Sequence, residues 1–278
     1  MCHVFLNRGS YKTGRYSVST AIVALSLLVL SGCVTSVTTT SSLGGAATGV
    51  SQSADSQKAA QTRLELAAEY LRAGNVTVAL EEVNNALKLN SSMTEAYVLR
   101  GMIYSQRGDF ASAEADYARV MRERGSDPDV MHNYGWILCQ QGRYADGDVY
   151  FDKVLATPGY ATSARTWMTK GLCLQAADKT NAAKQALLKA VEYDPNNPIA
   201  TYNLASMLYH AGQVADAQIY VRRLNNSPYA NAETLWLGVK IENAMGNQLG
   251  IRELGEVLSR KFPQSREFVL YERKAFYE

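Results

Sequence analysis

The feature that most constrains this chain is a recurrence of small residues. Ala67, Gly101, Gly135, Gly171, Ala205 and Gly238 are separated by 34, 34, 36, 34 and 33 residues. If each unit is numbered from 1 to 34 with these residues at position 8, three other positions also repeat. Position 11 is large and apolar at Tyr70, Tyr104, Leu138, Leu174, Leu208 and Ile241. Position 20 is small at Ala79, Ala113, Gly147, Ala183, Ala217 and Gly250. Position 24 is apolar or aromatic at Val83, Tyr117, Phe151, Leu187, Val221 and Leu254. A unit this short cannot bury an apolar face alone. Such units stack, and each covers its neighbour.

The pattern is similar to the tetratricopeptide repeat, in which Leu-Gly-x-x-Tyr on one helix precedes Ala-x-x-x-Phe on a second and then Pro. The resemblance implies an all-α, right-handed superhelical solenoid of about six repeats at 60–93, 94–127, 128–163, 164–197, 198–230 and 231–264. Gly74, Gly108, Gly142 and Gly212 fall between the two helices of a pair, where a positive φ ends a helix. Repeat 3 carries two extra residues near Thr157-Pro158-Gly159. Ser265 before REFVLYERKAFY predicts a capping helix over 265–278 with a solvent-facing side.

Residues 1–32 read as a signal segment. They hold Arg8, Lys12 and Arg15, then the apolar stretch Ala21–Leu30. Leu30-Ser31-Gly32-Cys33 resembles a lipobox, which implies a thioether-linked diacylglycerol and an N-acyl chain on Cys33. Val34 after it, in place of Asp, resembles the outer-membrane sorting pattern. No apolar run of 18 residues is present, so a spanning helix is not expected. Residues 33–59 contain VTTTSSLGGAATG and predict a flexible tether.

Without the first 32 residues, 25 basic residues stand against 26 acidic ones. That balance argues against a nucleic-acid partner. His132 and His210 lie in different repeats, no Cys/His cluster has zinc spacing, and no phosphate loop occurs. No catalytic residue, metal, cofactor or small-molecule substrate is expected. Cys139 and Cys173 lie on first helices of adjacent repeats. A disulfide needs Cα atoms within about 7 Å, so a bond and two buried thiols both remain open.

A partner groove is the remaining candidate. Positions 2, 5, 9, 12 and 13 of the first helices should line the concave side. They supply Gln61, Leu64, Ala68, Leu71 and Arg72 in repeat 1 and Val98 and Met102 in repeat 2. Repeat 3 supplies His132 and Trp136, and repeat 4 supplies Met168 and Leu172. Leu66, Ala67 and Tyr70 should form the core face of the first helix. The alternative is that curvature or the tether covers the groove side chains. Asn133 and Asn203 at position 6 read as ordinary helix-surface residues rather than ligand contacts.

His132-Asn133-Tyr134-Gly135-Trp136-Ile137-Leu138-Cys139-Gln140-Gln141-Gly142-Arg143 resembles a stretch of the type IV pilus biogenesis and stability lipoproteins, which have Asn where His132 stands. Ala67-Ala68-Glu69-Tyr70-Leu71-Arg72-Ala73-Gly74-Asn75 is similar to that family's first repeat. The resemblance implies a pilotin: an outer-membrane lipoprotein, facing the periplasm, that helps the pilus secretin subunit reach the membrane and oligomerise. The rival reading is a periplasmic adaptor for cell-wall enzymes or outer-membrane barrel assembly.

Overall fold

A computed structural model describes residues 47–277, with side chains from Ser53 onward. The chain divides into Met1–Ala54 and Asp55–Glu278. The expected signal segment, 1–32, and the expected lipidation site, Cys33, lie outside the described residues. Thirteen helices and no strands occur among those described. The pairs are α1 (Ala47–Arg72) with α2 (Val76–Leu89), α3 (Thr94–Gln106) with α4 (Phe110–Arg124), and α5 (Pro128–Gln140) with α6 (Tyr144–Leu155). They continue with α7 (Ser163–Ala176) and α8 (Thr180–Tyr193), α9 (Pro198–His210) and α10 (Val214–Asn225), and α11 (Ala232–Ala244) and α12 (Gln248–Lys261). A last helix, α13 (Arg266–Glu272), packs on both α11 and α12.

The small residues at position 8 mark close helix crossings. A Cβ on Gly171 would come within 2.7 Å of Leu187 Cγ on the second helix of its own pair. In repeat 3 both sides are stripped, since a Cβ on Gly147 would meet the Gly135 carbonyl oxygen at 2.7 Å. Between the helices of each pair, one residue takes a left-handed conformation. Gly74, Gly108, Gly142, Gly212 and Gly246 do so at φ of 71–78°. In repeat 4 the place is held by Asp178, at φ 57°.

Helix starts follow their side chains. Asp127 accepts from the backbone N–H groups of Asp129 and Val130, ahead of Pro128 at the first helical position. Asn197 and Pro198 repeat the device on α9. Asn231 and Thr234 form a reciprocal capping box on α11. Ser265 caps α13 by accepting from Phe268 N–H, as its sequence position predicts.

One boundary differs from expectation. The segment 33–59 was expected to be a tether throughout, yet α1 already begins at Ala47. Its composition gives no face to bury, but a helix that extends from an existing first turn avoids the cost of nucleation. Ala and Gln in SQSADSQKAAQ propagate it readily. Ser56 Oγ donates to the Leu89 carbonyl at 2.8 Å, which satisfies an end carbonyl of α2.

Candidate partner-binding face

The first helices of successive pairs lie side by side, with α3 on α5, α5 on α7, α7 on α9 and α9 on α11. Position 5 turns into that seam. Leu64 is only 8% exposed and packs in a cluster with Ala96 and Ile103 of α3. Val98 is half-buried against a cluster that includes Val130 and Ile137 of α5. His132 is 4% exposed between α5 and α7. Leu64 and His132 are therefore seam residues and not groove-lining ones, and Val98 is largely absorbed the same way. Leu71 also packs on the first-repeat core.

Position 7 faces the preceding repeat. Leu204 and Leu237 are buried there, in the core shared by α8, α9 and α10. Leu66 holds this position in the first repeat, where the described residues include no earlier repeat. It is 36% exposed, and the expectation that it lies on the core face is corrected accordingly. Ala67 is fully buried and Tyr70 half-buried on that core, as expected.

Position 9 stays open in the first four repeats. Ala68, Trp136 and Leu172 are half-buried, and Met102 is 41% exposed. Gln61 and Arg72 are exposed at the flanks. Met168 is half-buried against the repeat 4–5 core. The apolar lane therefore runs through Met102, Trp136 and Leu172, narrower than the sequence suggests. Trp136 rests on a small core of Cys139, Phe151 and Cys173. The two cysteines are joined, with Cα atoms 5.8 Å apart, which ties α5 to α7 beneath the lane.

The polar groups near the lane are mostly committed to one another. Arg165 donates from Nε to His132 Nε2 and from a terminal nitrogen to Asn133 Oδ1, both at 3.0 Å. His132 Nδ1 lies 2.9 Å from Thr166 Oγ1. Asn203 donates back to the Ile199 carbonyl at 2.8 Å. Each position-6 asparagine thus makes a hydrogen bond within the chain.

Two buried charge networks escaped the sequence reading. Arg100 binds Asp116 through two hydrogen bonds, at 2.8 and 2.7 Å, and also reaches Asn84 of the preceding repeat at 3.0 Å. In repeat 6, buried Glu242 accepts from Arg222, Gln218 and Asn247 at 2.7–2.9 Å. Burial opposes its charge, but these donors outweigh burial and hold the carboxyl below its ordinary range. Arginine at position 7 with a carboxylate at position 23 was the available signal for the first network.

Profiles described as tetratricopeptide repeat match residues 64–129, 104–158, 164–197 and 186–219, more than half of the chain together. The chain belongs to the tetratricopeptide-repeat family. Within it, the chain is homologous to the type IV pilus assembly protein PilF of Pseudomonas aeruginosa. The two are 23% identical over 252 residues, which is 91% of this chain and 97% of that one. An uncharacterized Haemophilus influenzae protein is 30% identical over 148 residues, covering 52% of this chain and 83% of that one. The crystal structure of PilW, a widely conserved type IV pilus biogenesis factor, superposes with a TM-score of 0.66 at 29% identity. It covers 75% of this chain and 96% of PilW. The P. aeruginosa PilF structure gives 0.65 at 21% identity, covering 79% of this chain and 99% of PilF.

Proposed function

We propose that the chain is a type IV pilus biogenesis lipoprotein that acts as a pilotin. Cys33 holds it in the outer membrane on the periplasmic side, through its diacylglycerol and N-acyl chains. The concave lane holds a secretin subunit while the secretin ring assembles. The observation that carries this reading is the end-to-end similarity to PilF, which spans 91% of this chain and 97% of that one. The Cys139–Cys173 bond supports an oxidising compartment such as the periplasm. The lane suits an apolar segment, because methionine and tryptophan offer adaptable, wide contact area. The array serves as a scaffold and carries out no reaction.

The test is a deletion strain complemented with variants and scored for detergent-resistant secretin multimers. Met102→Glu places a charge in the lane. Its protein level and membrane fraction should stay normal while multimers fall. Cys33→Ser should leave the outer-membrane fraction. Normal multimers in the deletion strain would overturn the pilotin reading, and a Cys33→Ser protein still in the outer membrane at full level would overturn the anchor.

A further inference from the structure

Arg165 stands at position 2 of repeat 4 and is exposed. Two residues of α5 hold its guanidinium. Nε donates to His132 Nε2 and a terminal nitrogen donates to Asn133 Oδ1, both at 3.0 Å. His132 is 4% exposed and is itself held at 2.9 Å by Thr166, which is fully buried. The Cys139–Cys173 bond ties the same two helices.

Both holders are uncharged. Elsewhere an arginine bonded from one helix to the next meets a carboxylate: Arg63 meets Glu82, Arg100 meets Asp116, Arg143 meets Glu114 and Arg222 meets Glu242. Each of those pairs cancels its own charge. Arg165 has no ion-pair partner among the described residues. The acids that open α5 are engaged, Asp127 with Arg124 and Asp129 with the Tyr160 hydroxyl. An arginine has five N–H groups. Two are used here, so three are left to a ligand. Apolar surface adjoins them. Asn133 and Trp136 lie three residues apart on one face of α5, and Arg165 and Leu172 lie seven apart on one face of α7. Trp136 and Leu172 are half-buried members of the lane.

We propose that the lane takes a partner segment in which an Asp or Glu side chain adjoins an apolar residue. The carboxylate binds Arg165 through two parallel N–H···O bonds, and the apolar residue covers Trp136. The inference rests on the partner-binding reading of the concave face and adds to it the charge of the partner. Arginine's planar fork matches the two oxygens of a carboxylate. Its side chain is already fixed by His132 and Asn133, so binding costs little further ordering. Met102, Trp136 and Leu172 accept apolar segments in general, and Arg165 selects the acidic ones among them.

A displayed random-peptide library panned on the full, disulfide-bonded chain tests this. Recovered peptides are synthesised with acetylated and amidated ends, so that side chains carry the only carboxylates. They should contain Asp or Glu next to an apolar residue. Changing that acid to its amide should weaken binding to the wild-type chain by about tenfold, the effect of losing a charged hydrogen bond, and this comparison needs no protein variant. Arg165→Gln should weaken the acidic peptides equally, and the two changes together should cost no more than either alone. Arg165→Lys keeps the charge without the fork and should restore only part of the affinity. Peptides that lose binding with Met102→Glu but tolerate both the amide and Arg165→Gln would overturn this inference and leave the partner-binding reading standing. Binding that requires a free C-terminal carboxylate would overturn the assignment to a side chain. A library that yields no binder would overturn both readings.

Discussion

Nε2 of His132 accepts a hydrogen bond from Arg165 Nε, 3.0 Å away across the seam between α5 and α7. An arginine only donates, so the imidazole is neutral and its proton sits on Nδ1, toward Thr166. Burial, and then the Arg165 charge, hold its pKa down at about 3. In the unfolded chain the ring titrates near 6.5. Between these values the unfolded state takes up a proton that the folded state refuses. The stabilisation is fully present above about pH 6.5 and is lost as pH falls toward 3. The loss is at most about 1.4 kcal/mol per pH unit. Urea unfolding at pH 7 and pH 5 should show a larger drop for the wild type than for His132→Asn. Equal drops would show that the ring does not sense pH.

Leu64 and Leu66 should respond in opposite ways to a charge. Leu64→Glu buries a carboxylate against Ala96 and Ile103 and should cost several kcal/mol, enough to unfold the first repeat. Leu66→Glu faces water and should stay within about 1 kcal/mol of wild type. Circular-dichroism melts, with hydrogen exchange across α1 to α3, measure both. A stable Leu64→Glu protein would place that side chain outside the seam.

The Cys139–Cys173 bond closes a loop of sequence separation 34. On the chain-entropy model such a loop contributes about 3–4 kcal/mol. Cys173→Ser, or wild type in reductant, should lose most of that in denaturant melts. The loss should be greatest in protection of α5 and α7. An unchanged midpoint would show that the bond is absent in solution.

Asp178 occupies a left-handed turn that glycine fills in every other repeat. A side chain there costs about 1–2 kcal/mol, and glycine's extra freedom in the unfolded chain offsets part of the gain. Asp178→Gly should therefore stabilise the chain by roughly 0.5–1 kcal/mol, read as a higher melting temperature. A lower melting temperature would mean that the Asp178 side chain contributes more than its backbone strain costs.

Repeat length and the position-8 crossings were legible in the sequence, because a missing Cβ at a helix crossing leaves a residue-type record. The orientation of each first helix was not. Leu64 and Leu66 are both leucine, and what decides which is buried is the presence of α3 on one side and, among the described residues, no earlier repeat on the other. Helix over 47–59 was illegible for a related reason, since extension from α1 needs no buried face of its own. Cys139 and Cys173 could be placed on neighbouring helices, while the 5.8 Å between their Cα atoms depends on the local crossing.

The placement of α13 on α11 and α12 decides where growth of the stack stops. Leu235, Trp236 and Val239 form the sticky end of repeat 6, and Phe268, Tyr271 and Phe276 cover it. Tyr271 seats over Gly255, where a Cβ would overlap its ring. At the other end, Leu66 offers the surface that a preceding repeat would cover. A chain cut before Ser265 would carry two complementary, unequal ends, and such head-to-tail contacts propagate into filaments unless they close a ring. The seven residues of α13 thus act as a chain terminator, and sedimentation of the truncated protein should show concentration-dependent polymers that the full chain does not form.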